Sequence, residues 1–202
     1  MNDCDYTGLK ADIRKRLGSM QIELRRLLDG LDSENHCLLT DFESFGSRFS
    51  EIEALASSFY LRCYLASFTN RYHELALAVR HLSARRHGAL AVIQRGDPVD
   101  EWITPGIPIE AELTHSLLES IFFPGSPLHD GAAVIRGDRI SSASSVLPLS
   151  SHGSGTGKEG TRHRAARGLS EKCDALVIVV SEESGKSSFA MGGKLYPFNS
   201  PV

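Results

Sequence analysis

The sequence predicts a mixed α/β fold, a β-sheet flanked by helices, preceded by an α-helical hairpin. Two observations carry that reading. Apolar residues near the start recur at helical spacing along two seams, and beyond Gly88 the texture changes to short apolar runs set between turn residues. Strands alternating with helical stretches in this way belong to a layered α/β domain.

The first seam runs Leu9, Ile13, Leu17, Met20, Leu24, Leu27 and Leu31, alternating steps of four and three. Gly30 and the capping candidate Ser33 separate it from a second, Leu38, Phe42, Phe45, Phe49, Ile52, Leu55 or Ala56, and Phe59, with Asp41, Glu43, Glu51 and Glu53 between. Together they predict a helical hairpin over residues 1–60. Each apolar stripe is narrow, so the hairpin is expected to pack on the rest of the chain or on another subunit.

From Tyr60 the helical pattern continues through Phe68, Leu75, Val79 and Leu82, then stops at Arg85, Arg86, His87 and Gly88. Cations in a last turn and a glycine beyond it are a helix stop. Ala89 to Ile93 reads as a buried strand, and Gly96, Asp97 and Pro98 as a loop. A helix over 110–122, a hairpin from Ala132 to Val146 turning at Gly137 and Asp138, and strands over 175–180 and 187–191 complete the second unit, residues 61–202.

Composition narrows the function. Twenty-two Lys plus Arg against 25 Asp plus Glu leave a net charge of -3, with no footprint for coating a nucleic acid or a membrane surface. Residues 1–9 lack a basic start followed by an apolar stretch, and no run approaches the roughly 18 apolar residues of a membrane span. The expected location is the cytoplasm. Cys4, Cys37, Cys63 and Cys173 form no C-x-x-C pair and are expected to be reduced.

Residues 150–160 are too rich in glycine and serine for a regular element and read as a loop. They fail both phosphate-binding patterns: Gly157-Lys158 precedes Glu159 rather than Ser or Thr, and Gly153-x-Gly155 is not followed by glycine at position 158.

Three clusters carry chemistry. Leu128-His129-Asp130-Gly131-Ala132 puts a carboxylate and two tiny residues before an apolar strand, where a ligand can approach the backbone; an Asp-Gly turn is the alternative. Thr161-Arg162-His163-Arg164 gathers a hydroxyl, two guanidiniums and an imidazole at a helix start. The macrodipole there favours acidic residues, so the arginines point to a ligand phosphate, with a solvated basic turn as the alternative. Ser181-Glu182-Glu183 places carboxylates at a strand end, suited to a divalent cation or equally to a solvated turn.

In order, PLHDGAAVI, SVLPLS, GTRHRAARGLSE and VIVVSEESG resemble the diadenylate cyclase family, whose catalytic domain makes cyclic di-AMP from two ATP. The likeness spans roughly residues 66–191, and the helical extension resembles the sporulation-type branch of Bacillus-like bacteria. Arg167 departs from the pattern, standing where the family commonly has an apolar residue. The resemblance implies that Asp130 and Glu183 hold Mg2+ or Mn2+, with His129 as a further ligand. It implies that Arg162 and Arg164 act in catalysis, and that Thr161, Arg162, His163 and Arg164 hold the triphosphate, with Ser181 in a lesser phosphate or metal role. Gly131 and Ala132 would let the nucleotide lie against the backbone, while Leu128 and Leu147 line the adenine site. It further implies a homo-oligomer whose active unit is a face-to-face dimer, with higher assembly such as a hexamer organised by the hairpin. A nucleotide-binding sensor or scaffold without turnover is the competing reading.

Overall fold

The computed structural model describes residues 6–31, 38–151 and 160–199; the capping candidate Ser33 and most of the glycine-rich loop lie outside them. Helix α1 spans Thr7–Gly30 and α2 spans Leu38–Leu65, forming the expected hairpin. Glu23 and Arg48 pair across it at 2.8 Å, and the Tyr6 ring packs on Phe59 and Tyr60. In one copy the α1 seam is half used: Met20 and Leu27 are buried, whereas Leu17 is 45% and Leu24 43% exposed. No helix among the described residues is long and apolar enough to cross a membrane.

The helical pattern expected to run on from Tyr60 is interrupted. Helix α2 ends at Leu65, and α3, Tyr72–Arg85, begins after a turn. The interruption has a physical cause in Asp138, whose carboxylate accepts from Thr69 Oγ1 at 2.9 Å, Asn70 N at 2.7 Å and Asn70 Nδ2 at 3.1 Å. These bonds give the turn's polar groups a better partner than another helical turn. The C-cap Arg86 is left-handed at φ 54°, and its N–H closes onto Leu82 and Ser83 carbonyls.

Seven strands follow: β1 Ala89–Ile93, β2 Ile107–Glu112, β3 Ala132–Arg136, β4 Arg139–Ser145, β5 Leu176–Val180, β6 Ser187–Met191 and β7 Lys194–Phe198. Helix α4, His115–Ile121, precedes β3, and α5, Thr161–Ser170, precedes β5. The sheet order is β2-β4-β3-β1-β5-β6-β7. Strand β1 is parallel to β3 and antiparallel to β5.

Two expectations change here. The helix predicted over 110–122 is shorter, because Glu110 sits in β2 at a bulge with φ 49°, and α4 starts behind Thr114, whose side chain accepts from Leu117 N. Edge strands β2 and β7 were not foreseen. Neither is buried along its length, and each carries a proline, Pro108 and Pro197, which an edge tolerates and which hides the strand signal.

Alternation builds a core on each face. Ala89, Ala91, Ile93, Ile178 and Val180 point to the side covered by α2, α3 and α4; Leu90, Val92, Val177 and Val179 point to the side covered by Ala165, Ala166 and Leu169 of α5. Cys173 is a free, half-buried thiol whose pKa burial raises. Cys63, by contrast, is disulfide-bonded, against the expectation of reduced thiols. The lack of C-x-x-C spacing speaks only to near neighbours in sequence. Cys4 and Cys37 lie outside the described residues.

The hydrogen bonds from the Asn70 side chain and backbone, then from Thr69, hold the Asp138 carboxyl below its usual pKa. Asp138→Ala strands the buried Thr69 hydroxyl and is expected to cost about 1–3 kcal/mol in urea unfolding at neutral pH. Because the folded pKa is depressed, the wild-type advantage is full above the unfolded value of about 3.9 and fades as pH falls through the lower folded value. Equal stability of the two proteins at neutral pH would contradict this anchor.

Candidate active site

The direction of three central strands decides what meets. With Ala89 opposite Val180 and Ala91 opposite Ala133, the start of β1, the start of β3 and the end of β5 share one end of the sheet. Antiparallel β4 brings Ser145 to the same end, opposite Ala132. The N-terminus of α5 also arrives there, since Ser150 N donates to Arg164 O at 3.0 Å.

These termini surround a cavity of about 1340 Å3. It exceeds the range of roughly 300–1,000 Å3 usual for small-ligand sites, leaving space for a nucleoside triphosphate. Of the residues singled out from the sequence, Asp130, Gly131, Leu147, Thr161, Arg162, His163, Ser181 and Glu183 line it. Four do not. Ala132 is fully buried in the core, Leu128 packs half-buried against the opposite core cluster, Arg164 is exposed, and His129 is half-buried outside the lining.

Gly131 has a reason of its own. Its φ is +103°, and a Cβ would stand 2.8 Å from Ser145 O and from the Ser144 carbonyl carbon. The glycine therefore lets β3 begin against β4, which is a structural demand quite apart from any ligand.

The basic wall begins at α5. Gly160 caps the helix without a side-chain hydrogen bond, and no acidic residue occupies the first turn. A helix start of this kind, with its macrodipole, suits an anion. Arg162 Nη1 donates to Glu182 Oε2 at 2.8 Å. Arg164 reaches the Ser150 carbonyl at 3.5 Å.

The acidic wall is a braced turn after β5. Ser181 N donates to Lys186 O at 3.0 Å, Gly185 N to Ser181 O at 2.9 Å, and Ser184 N to Ser181 Oγ at 3.2 Å. Ser83 of α3 donates its hydroxyl to Gly185 O. Glu182 and Glu183 project from this turn and are exposed. Across the cavity's lining, Asp130 adds a third carboxylate.

Among the described residues, no three His, Cys, Asp or Glu side chains are gathered closely enough to hold a metal ion unaided. Mg2+ is commonly held by one or two carboxylates and completed by substrate phosphates, so Asp130 and Glu183 on one cavity fit a divalent ion arriving with a nucleotide. His129 Nδ1 donates to the Ser126 carbonyl at 2.5 Å, which orients the ring.

Sequence reasoning missed part of the lining. Glu53 comes from α2, Arg167 from the second turn of α5, and Lys194 and Tyr196 from β7. The β7 pair had a readable signal: Gly192 and Gly193, both at positive φ, form a tight hairpin turn before an alternating run. Glu53 had none, because its placement depends on α2 packing against β7.

Residues 76–195 match the family described as DisA bacterial checkpoint controller nucleotide-binding, and residues 1–68 match the N-terminal segment of diadenylate cyclase CdaS. A cyclic di-AMP synthase CdaS of Bacillus subtilis (strain 168) is 47% identical over 91% of this chain and 92% of its own. A diadenylate cyclase CdaS of Bacillus thuringiensis (strain BMB171) is 42% identical over 93% and 94%. A crystal structure from Bacillus cereus, described as a hypothetical membrane spanning protein, superposes with a TM-score of 0.79 at 41% identity, covering 95% of this chain and 94% of that one. With its glycine-dependent strand start, its basic helix start and its acidic turn on one cavity, and with these relatives along nearly its whole length, the chain belongs to the diadenylate cyclase family and carries the CdaS-type N-terminal segment.

Proposed function

We propose that the chain condenses two ATP into cyclic di-AMP with release of two pyrophosphates, each 3′-hydroxyl attacking the α-phosphorus of the other nucleotide. The observation that carries this is the meeting of Asp130, Glu183 and the α5 N-terminus on one nucleotide-sized cavity. Phosphoryl transfer asks a protein mainly for positioning and for charge on the phosphate oxygens. Asp130 and Glu183 would hold Mg2+ or Mn2+, which supplies neutralisation of the α-phosphate and acidification of the hydroxyl. His129, next to Asp130 in the chain and with its ring held on the Ser126 carbonyl, would serve as a further ligand to the same ion.

The Thr161 hydroxyl, the first amides of α5, Arg162 and His163 bind the triphosphate, and Arg162 carries the charge that builds on the departing pyrophosphate. Arg164, exposed and outside the lining, is assigned to the same triphosphate from its place in the first turn of α5. Leu147 supports the base, and Ser181 hydrogen-bonds at the phosphate side. Ala132 and Leu128 act from behind, fixing β3 and the segment that carries Asp130.

A two-fold product made from two ATP calls for two facing sites, so the active unit is a homodimer. Val146, 60% exposed, and Leu149, 51% exposed, sit on the cavity lining and give that face apolar material to cover. We assign residues 61–202 to catalysis and residues 1–60 to assembly and regulation, although α2 runs unbroken through position 60. The half-exposed α1 seam supports a higher assembly, a hexamer being one closed form.

Incubation with ATP and Mn2+ or Mg2+ is expected to yield cyclic di-AMP by mass spectrometry, with Asp130→Asn at least about 100-fold slower and unchanged in circular dichroism. Bound but unconverted ATP in the wild type would instead identify a sensor. Leu24→Glu with Leu28→Glu, both exposed in one copy, is expected to lower the mass seen by light scattering while leaving the fold intact. An unchanged mass would remove the hairpin from assembly.

A further inference from the structure

We infer that Glu182 is a positioning residue for Arg162, holding its guanidinium where the departing pyrophosphate gathers charge; this rests on the reaction proposed above. Three observations meet at this pair. Arg162 Nη1 lies 2.8 Å from Glu182 Oε2, and the arginine side chain is only 25% exposed while the glutamate's is 61% exposed. The guanidinium also lies directly over the start of β1: a Cβ on Gly88 would stand 2.6 Å from Arg162 Nη1, 2.8 Å from its Cζ and 3.0 Å from Glu182 Oε2. Gly88 has no positive φ to explain its glycine, so the space it leaves for the ion pair is what the position supplies.

The third observation is that the support is rigid. Glu182 projects from a turn closed by Ser181 N to Lys186 O at 3.0 Å and Gly185 N to Ser181 O at 2.9 Å, and tied to α3 through the Ser83 hydroxyl on Gly185 O. A Cβ at Gly185, itself at φ +72°, would stand 2.7 Å from Ser83 O, so turn and helix are in close contact. An exposed ion pair of this kind contributes little to stability. It does remove rotamer freedom from a long side chain, and a guanidinium has five N–H donors, so one carboxylate leaves the others for phosphate.

Several groups hold ATP in the ground state, including the α5 amides and Thr161. Losing the orientation of one guanidinium therefore acts on the transition state, where charge on the leaving group is largest, and lowers kcat more than it raises KM. Glu182→Ala is expected to lower kcat about tenfold with KM changed less than about twofold and an unchanged Tm. Glu182→Gln, which keeps an acceptor oxygen, is expected to recover part of that loss. Gly88→Ala, which pushes on the guanidinium, is expected to lower kcat as Glu182→Ala does.

A double-mutant cycle separates positioning from a general structural role: in an Arg162→Lys background, Glu182→Ala should cost less than about twofold further. Full additivity, an unchanged kcat, or a lower KM showing that Glu182 competes with phosphate for Arg162, would each overturn the proposal. NMR of the Arg162 guanidinium in the full chain reads the anchor without turnover, with rotation about Nε–Cζ slowed in the wild type and fast in Glu182→Ala. If the wild type makes no cyclic di-AMP, the proposed reaction fails, and the NMR result alone then decides whether Glu182 holds Arg162. Equal guanidinium dynamics in the two proteins would reject it.

Discussion

The site depends on how one short strand is paired. Strand β1 lies between β3, which runs with it, and β5, which runs against it, and all three are almost wholly buried. That choice of directions brings the residues just before β3 and those just after β5 to the same end of the sheet. In an all-parallel arrangement the Asp130 segment and the Ser181–Glu183 turn would sit at opposite ends, roughly five residues or about 16 Å apart. The rule that ligands gather beyond strand C-termini therefore holds here for β4 and β5 and not for β1 and β3.

Around that end carboxylates and cations come from different elements and meet on one cavity, as in the Arg162–Glu182 pair. Carboxylates come from the loops before β3 and after β5 and, with Glu53, from α2, while the cations stand on α5 and, with Lys194, on β7. A total of -3 conceals this, since it averages over a molecule whose functional charges face one cavity. Glycines set the spacing: Gly131 lets β3 start against the β4 backbone, and Gly168 lets α5 lie where a Cβ would meet Pro148 O at 2.2 Å. Both serve packing first, and the site inherits the result.

How much was legible follows from the same physics. Strands β1 and β5 announced themselves because burial on both faces demands continuous apolar runs such as Leu176–Val180. The turn at Gly137-Asp138 was legible from local chemistry, although its tie to Thr69 and Asn70 was not, because that bond joins residues far apart in sequence. Edge strands escaped for the converse reason: Pro108 and Pro197 are permitted where no neighbour needs an N–H. Arg162 was found by its conflict with the helix dipole, whereas Glu182, its partner, read with Glu183 as a cation site or equally as a solvated turn, and not as a partner for an arginine. The Cys63 disulfide left no pattern at all, since pairing follows distance in space.

The central claim is that the Asp130 segment, the turn after β5 and the first turn of α5 serve one metal–nucleotide site. Paramagnetic broadening tests it most directly. With a non-hydrolysable ATP analogue and trace Mn2+, amide signals of Asp130–Gly131, Ser181–Glu183 and Thr161–Arg164 should broaden together, at the same metal concentration, while those of α4 remain sharp. Broadening confined to one of these three segments, or centred on the α1–α2 hairpin, would contradict a shared site.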